Sequence, residues 1–163
     1  MSASEREIPR DWFRSIAAFD SAYCRCIDED RLEKWPEFFV EDCLYRITSA
    51  DNFRQKLPIG LISATSRKML VDRVTALRRA NIYEEQRYRH IVSQPTVLEE
   101  DPDGASSETG FMVARITPRG APELFATGSY RDRFKVVGDG LKLAERIVVC
   151  DSSRIDTLLA LPL

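Results

Sequence analysis

At 163 residues, the chain has the length of one ordinary domain. With 44% hydrophobic and 31% charged residues it has enough material for a packed core and a solvated surface, which excludes a disordered or fibrous class. A net charge of -2 gives no electrostatic case for nucleic acid, and no apolar run approaches the roughly 20 residues that a bilayer span needs.

Residues 1–10 are polar, carry charges of both signs and lack the apolar stretch of a secretion signal. They read as a flexible arm of a cytoplasmic protein, with residues 11–163 as a single domain. From Asp11 to Asp28 the spacing predicts an amphipathic helix. Trp12, Ile16, Phe19, Tyr23 and Ile27 recur at three and four residues, while Arg14, Asp20 and Arg25 are read as lying off that stripe. Asp30-Arg-Leu-Glu33 resembles a capping box, so a short second helix is expected there, ended by Pro36.

Phe38 and Phe39 lead into a strand over Cys43 to Thr48, followed by a polar loop from Ser49 to Lys56 and a short apolar segment from Leu57 to Thr65. Ser66 is placed to cap a third helix reaching Ala80, with Met69, Leu70, Val74 and Leu77 on its apolar face. Strands are then predicted over Arg87 to Leu98, interrupted at Pro95, and over Glu108 to Thr117. Glu123 to Val137 and Leu141 to Cys150 follow, with turn chemistry at Asp101–Gly104, Pro118–Pro122 and Gly138–Gly140. Strict alternation puts Leu124, Ala126, Gly128, Tyr130, Asp132, Phe134 and Val136 on one face of the longest strand, and Leu141, Leu143, Ile147 and Val149 on one face of the last. Helices first and strands after indicate an α+β fold, with the helices laid on a curved antiparallel sheet to form a cone.

The four cysteines, Cys24, Cys26, Cys43 and Cys150, form no C-x-x-C and read as buried free thiols. With one histidine, His90, the chain assembles neither a Rieske cluster nor an iron facial triad. Asp132 falls in the apolar register of its strand. Its carboxylate is either paired, with Arg146 on the next strand as the candidate partner, or a cavity acid. His90, which shares a strand face with Tyr88, is either a hydrogen-bonded structural residue or a general base. Arg78, Arg79, Arg131 and Arg133 belong to a mixed-charge face or to the rim of a protein interface. The apolar end of the chain, with Leu158, Leu159, Leu161 and Leu163, must dock on its own domain or on a partner.

Several segments together resemble a known family. They are Tyr45-Arg-Ile-Thr-Ser49, Met69-Leu-Val-Asp-Arg73, Arg78-Arg-Ala-Asn-Ile-Tyr-Glu84, Tyr88-Arg-His90, Gly128-Ser-Tyr-Arg-Asp132 and Val148-Val-Cys-Asp-Ser152 through Pro162-Leu163. In this order and spacing they are similar to the beta (small) subunits of aromatic-ring-hydroxylating dioxygenases, and the ending is nearest the branch acting on aromatic acids such as salicylate, anthranilate or terephthalate. The resemblance implies a nuclear-transport-factor-2-like fold and a hexamer of three large and three small subunits. The Rieske [2Fe-2S] cluster, the mononuclear Fe(II) and the substrate pocket would lie in the large subunit. Electrons would arrive from NAD(P)H through a reductase and a ferredoxin. This chain would hold no catalytic, cofactor or metal residue of its own. Tyr83 joins the arginines as an interface candidate. The competing expectations are a stand-alone ketosteroid-isomerase-like isomerase or dehydratase using Asp132 or His90, and a binding-only member that holds an apolar ligand.

Overall fold

Asp11 opens the first helix, α1 (Trp12–Asp28), by accepting the backbone N–H of Arg14 at 3.0 Å. Its buried stripe is Trp12, Ile16, Asp20, Tyr23 and Ile27. Asp20 lies four residues after Ile16 and three before Tyr23, so it sits in the middle of the apolar stripe rather than off it. The computed structural model describes residues 10–80, 86–154 and 161–163. The expected arm is outside the described residues except for Arg10, which reaches the carbonyl of Asp139.

The second helix does not begin at Asp30. That residue has φ 56, the left-handed region, whereas an N-cap needs extended backbone. A 3-10 turn forms later, over Trp35–Phe38, and Pro36 sits in its first turn instead of ending it. A proline there forfeits only an N–H that would have had no partner. Strand β1 (Phe39–Ser49) follows, and Ser49 caps a short helix, α2 (Ala50–Arg54), where the sequence suggested a loop. Next come β2 (Ile62–Ala64) and α3 (Arg67–Ala80), whose Met69 N–H is capped by Ser66 as expected.

The single strand expected around Pro95 is two strands, β3 (Arg87–Val92) and β4 (Thr96–Asp101), both paired to the same edge of β5 (Gly104–Ile116). The hairpin of β6 (Pro122–Val137) and β7 (Gly140–Cys150) closes the sheet, with Gly138 at φ 63 in its turn. The sheet order is β2-β1-β7-β6-β5-β3, with β4 also on β5. The fold is α+β, but the sheet is mixed rather than wholly antiparallel, because β1 and β7 run parallel.

Two bulges decide which residues face the core. Between β5 and β6, Val113 pairs with Ala126 and Ala114 with Leu124, leaving Phe125 as an extra residue. Alternation therefore reverses there. Leu124 turns outward and is 68% exposed, while Phe125 packs on the Tyr88 ring at 5.2 Å. Between β6 and β7, Phe134 pairs with Leu143 and Arg133 with Glu145, leaving Ala144 extra. Beyond that point Arg146, Val148 and Cys150 point into the core on the side of Leu143, and Ile147 and Val149 point away, so the expected face is broken at Ala144. All four cysteines are free and buried.

Candidate functional site

The deepest polar group is built on β6, β7 and α1. The bulge at Ala144 places Arg146 directly across from Asp132. Its Nε and one terminal nitrogen donate to the two Asp132 oxygens at 2.8 and 2.7 Å, a bidentate fork. The same terminal nitrogen donates to Asp20 at 2.6 Å, and the other Asp20 oxygen accepts the Thr109 hydroxyl at 2.9 Å. The guanidinium lies against the rings of Tyr23 and Tyr130, 4.2 and 4.0 Å from their centroids. Arg146 has no exposed surface.

Two carboxylates share one cation here. Burial pushes the Asp132 carboxyl up to about 6, against the pull of the Arg146 charge and hydrogen bonds. Burial works against the Arg146 cation, but the charges of Asp132 and Asp20 outweigh it and hold the group well above its ordinary value. An acid or base must reach the atom it serves. Asp132 has both oxygens on Arg146, and the main clefts between described residues, 260 to 810 Å³ in volume, are not lined by Asp132, Asp20 or Arg146.

His90 is elsewhere. Its ring Nδ1 stands 2.6 Å from one oxygen of Asp28, and its backbone N–H donates to the other oxygen at 2.9 Å. The ring is fully buried. Tyr88, two residues earlier on β3, lies 6.1 Å from His90 ring to ring. The sequence offered Asp132 or His90 as the acid or base of a pocket enzyme. The structure makes two separate pairs, each with an α1 carboxylate, Asp20 or Asp28, that sequence reading did not single out. The usable signal was helical spacing, which puts Asp20 among the apolar residues and Asp28 at the buried end of the helix.

The arginines divide. Arg78 forks onto Glu33 and reaches both Asp30 side-chain oxygens and its carbonyl, which ties the end of α3 to the turn after α1. Arg131 pairs with Glu108 at 2.7 Å and overlies Phe53. Arg79 and Arg133 are exposed. Tyr83, Leu158 and Leu159 lie outside the described residues. Leu161 and Leu163 are buried in this chain's own core, the first of the two places that the sequence left open for them. The Leu163 oxygen accepts from the Tyr23 hydroxyl at 3.0 Å.

Among the described residues no group of three or more His, Cys, Asp or Glu side chains is arranged to hold a metal ion. The donor set does not fit an iron facial triad either, which needs two histidines where the chain has one. No helix among the described residues is long and apolar enough to cross a membrane.

The SnoaL-like domain family model matches residues 13–147. Terephthalate 1,2-dioxygenase, terminal oxygenase component subunit beta 1, of Comamonas sp is 51% identical over 148 residues, covering 91% of this chain and 96% of that one. The anthranilate 1,2-dioxygenase small subunit of Burkholderia cepacia is 38% identical over 154 residues, 94% and 95% of the two chains. The chain belongs to the beta subunits of aromatic-ring-hydroxylating dioxygenases. A solved Novosphingobium aromaticivorans protein assigned to the same class superposes with a TM-score of 0.85 at 36% identity, covering 93% of this chain and 96% of that one. The cone expected from the order of helices and strands is thus the SnoaL-like fold of a dioxygenase beta subunit, a component of an oxidoreductase. The small-subunit reading stands over that of a stand-alone pocket enzyme.

Proposed function

We propose that this beta subunit is the non-catalytic scaffold of a terminal oxygenase that hydroxylates an aromatic carboxylic acid. Its role is to hold the iron-bearing large subunit in a stable assembly. The observation that carries this is the state of the interior. The one buried acid with a raised pKa is clamped bidentately by Arg146, and the one histidine is clamped by Asp28. Asp132, the acid that a stand-alone pocket enzyme would need, thus has no free oxygen to offer a small molecule.

The Rieske [2Fe-2S] cluster and mononuclear Fe(II) then belong to the large subunit, with electrons reaching it from NAD(P)H through a reductase and a ferredoxin. The assembly is a cytoplasmic hexamer of three large and three small subunits. Relatives that act on terephthalate and anthranilate support an aromatic-acid substrate. Residues 11–163 act as a single domain behind a short arm. The exposed Arg79 and Arg133, the half-buried Arg131 and the tyrosine at position 83 supply rim contacts to a partner.

Coexpression with the large subunit tests this. The expected product is a stable complex coloured by the partner's cluster, with ring hydroxylation in the presence of its reductase and none by the isolated small chain. Turnover of a small molecule by the isolated chain, abolished by Asp132→Asn, would overturn the proposal.

A further inference from the structure

Leu163 is held as a guest would be. Its oxygen accepts from the Tyr23 hydroxyl at 3.0 Å and lies 3.2 Å from the Tyr45 hydroxyl, and its N–H donates to Tyr45 at 3.1 Å. The two tyrosines come from α1 and β1, 140 and 118 residues away in sequence, and both are completely buried. Burial raises both phenols, Tyr45 to about 12, so both are neutral donors at ordinary pH. The charge of Arg73 acts on Tyr45 in the opposite sense, and the Arg73 Nε is buried with no hydrogen-bond partner among the described residues.

Two preorganised hydroxyls on one oxygen are equipment for a carbonyl or carboxylate group. The rings of Trp35 and Phe39 lie edge-on to Tyr45 at 5.1 and 5.8 Å, and Tyr130 lies 6.2 Å from Tyr23, so the walls are aromatic. Leu161 forms part of the wall of a 560 Å³ cleft shared with Ile27 and Tyr88.

We propose that the socket filled by Leu161–Leu163 is a binding site for a small aromatic carboxylate, kept shut by this chain's own residues. The leucine side chains take the place of the ligand's apolar body, and the Leu163 oxygen takes that of its polar head. Binding there requires displacement of the plug, which lowers the apparent affinity by the fraction of chains in the open state. No chemistry follows from it, because Asp132 stays on Arg146. The socket shares no residue with the rim proposed above to meet a partner, so its failure would leave the scaffold proposal standing.

Benzoate is the probe. Calorimetric titration of the full chain carrying Leu161→Gly and Leu163→Gly should show benzoate binding at least about tenfold tighter than to the unaltered chain. Adding Tyr45→Phe should cost about tenfold, the worth of one hydrogen bond to a charged group. A folded plug variant that binds no better than the unaltered chain overturns the proposal, as does binding indifferent to both Tyr45→Phe and Tyr23→Phe. A second measurement needs no variant. Saturating benzoate should speed hydrogen exchange at the Leu163 amide of the unaltered chain, because the ligand competes for Tyr45. If the plug variant does not fold, unchanged exchange at Leu163 overturns the proposal by itself.

Discussion

Replacing Arg146 by methionine removes the cation from a site that holds two buried carboxylates. Three charge-assisted hydrogen bonds, at 2.6, 2.7 and 2.8 Å, are lost together with stacking on Tyr23 and Tyr130. What dominates is not the lost attraction but the stranded charge on Asp132 and Asp20, since an intact buried ion pair is often no better than an apolar pair, whereas breaking one costs about 3–5 kcal/mol. Against a total stability of about 5–15 kcal/mol, that loss is large. At about 2–4 °C per kcal/mol for a domain of this size, the melting temperature should fall by about 6–20 °C. Arg146→Lys should lie between the two, because a point charge cannot reproduce the fork on Asp132. Combining Arg146→Met with Asp20→Asn and Asp132→Asn should recover at least half of the loss, by removing the charges left behind. The assay is urea and thermal unfolding at pH 7.5 and 5.5, with the variant gaining on acidification as its stranded carboxylates take up protons. A loss below about 1 kcal/mol, or no recovery in the triple variant, would refute the reasoning.

Asp132 makes a second prediction about pH. Its folded pKa, about 6, lies above the unfolded carboxylate value, so the stability this group contributes is full below about pH 4 and is lost as pH rises through 6. Asp132→Asn should flatten the stability profile between pH 5 and 7, and an unchanged slope in urea unfolding would count against it. Asp28→Ala leaves the buried His90 ring and backbone N–H without their acceptor and should cost about 1–3 kcal/mol in the same assay. If the scaffold proposal holds, the assembled oxygenase carrying that variant should keep its turnover per intact complex. At Gly128 an added Cβ would meet the Val149 carbonyl at 2.0 Å, so Gly128→Ala should destabilise the β6–β7 pair measurably, read as a lower denaturation midpoint. Arg79→Glu should leave the melting temperature of the small chain nearly unchanged and weaken its co-purification with the large subunit. Equal recovery of the complex would remove Arg79 from the interface.

Much of the candidate site was legible where local chemistry is self-sufficient. Asp132 stood out because a carboxylate in an apolar register needs a partner, and Arg146 was the basic residue on the neighbouring strand. The family was legible because short segments recur in order along nearly the whole chain. What failed was the assumption of strict alternation. A bulge is one extra residue in a strand, and nothing in Ala144 or Phe125 announces it.

The sequence by itself determined the α+β order, the helix starts at Asp11 and Ser66, the hairpin at Gly138, and the family, because each is written in neighbouring residues or in their spacing. Only the tertiary structure decided that Asp20 and Asp28 are the partners of Arg146 and His90, that β1 lies parallel to β7, and that Leu163 ends between Tyr23 and Tyr45. These contacts join residues from 62 to 140 positions apart. Their energy depends on burial and on a convergence of elements that no local pattern encodes.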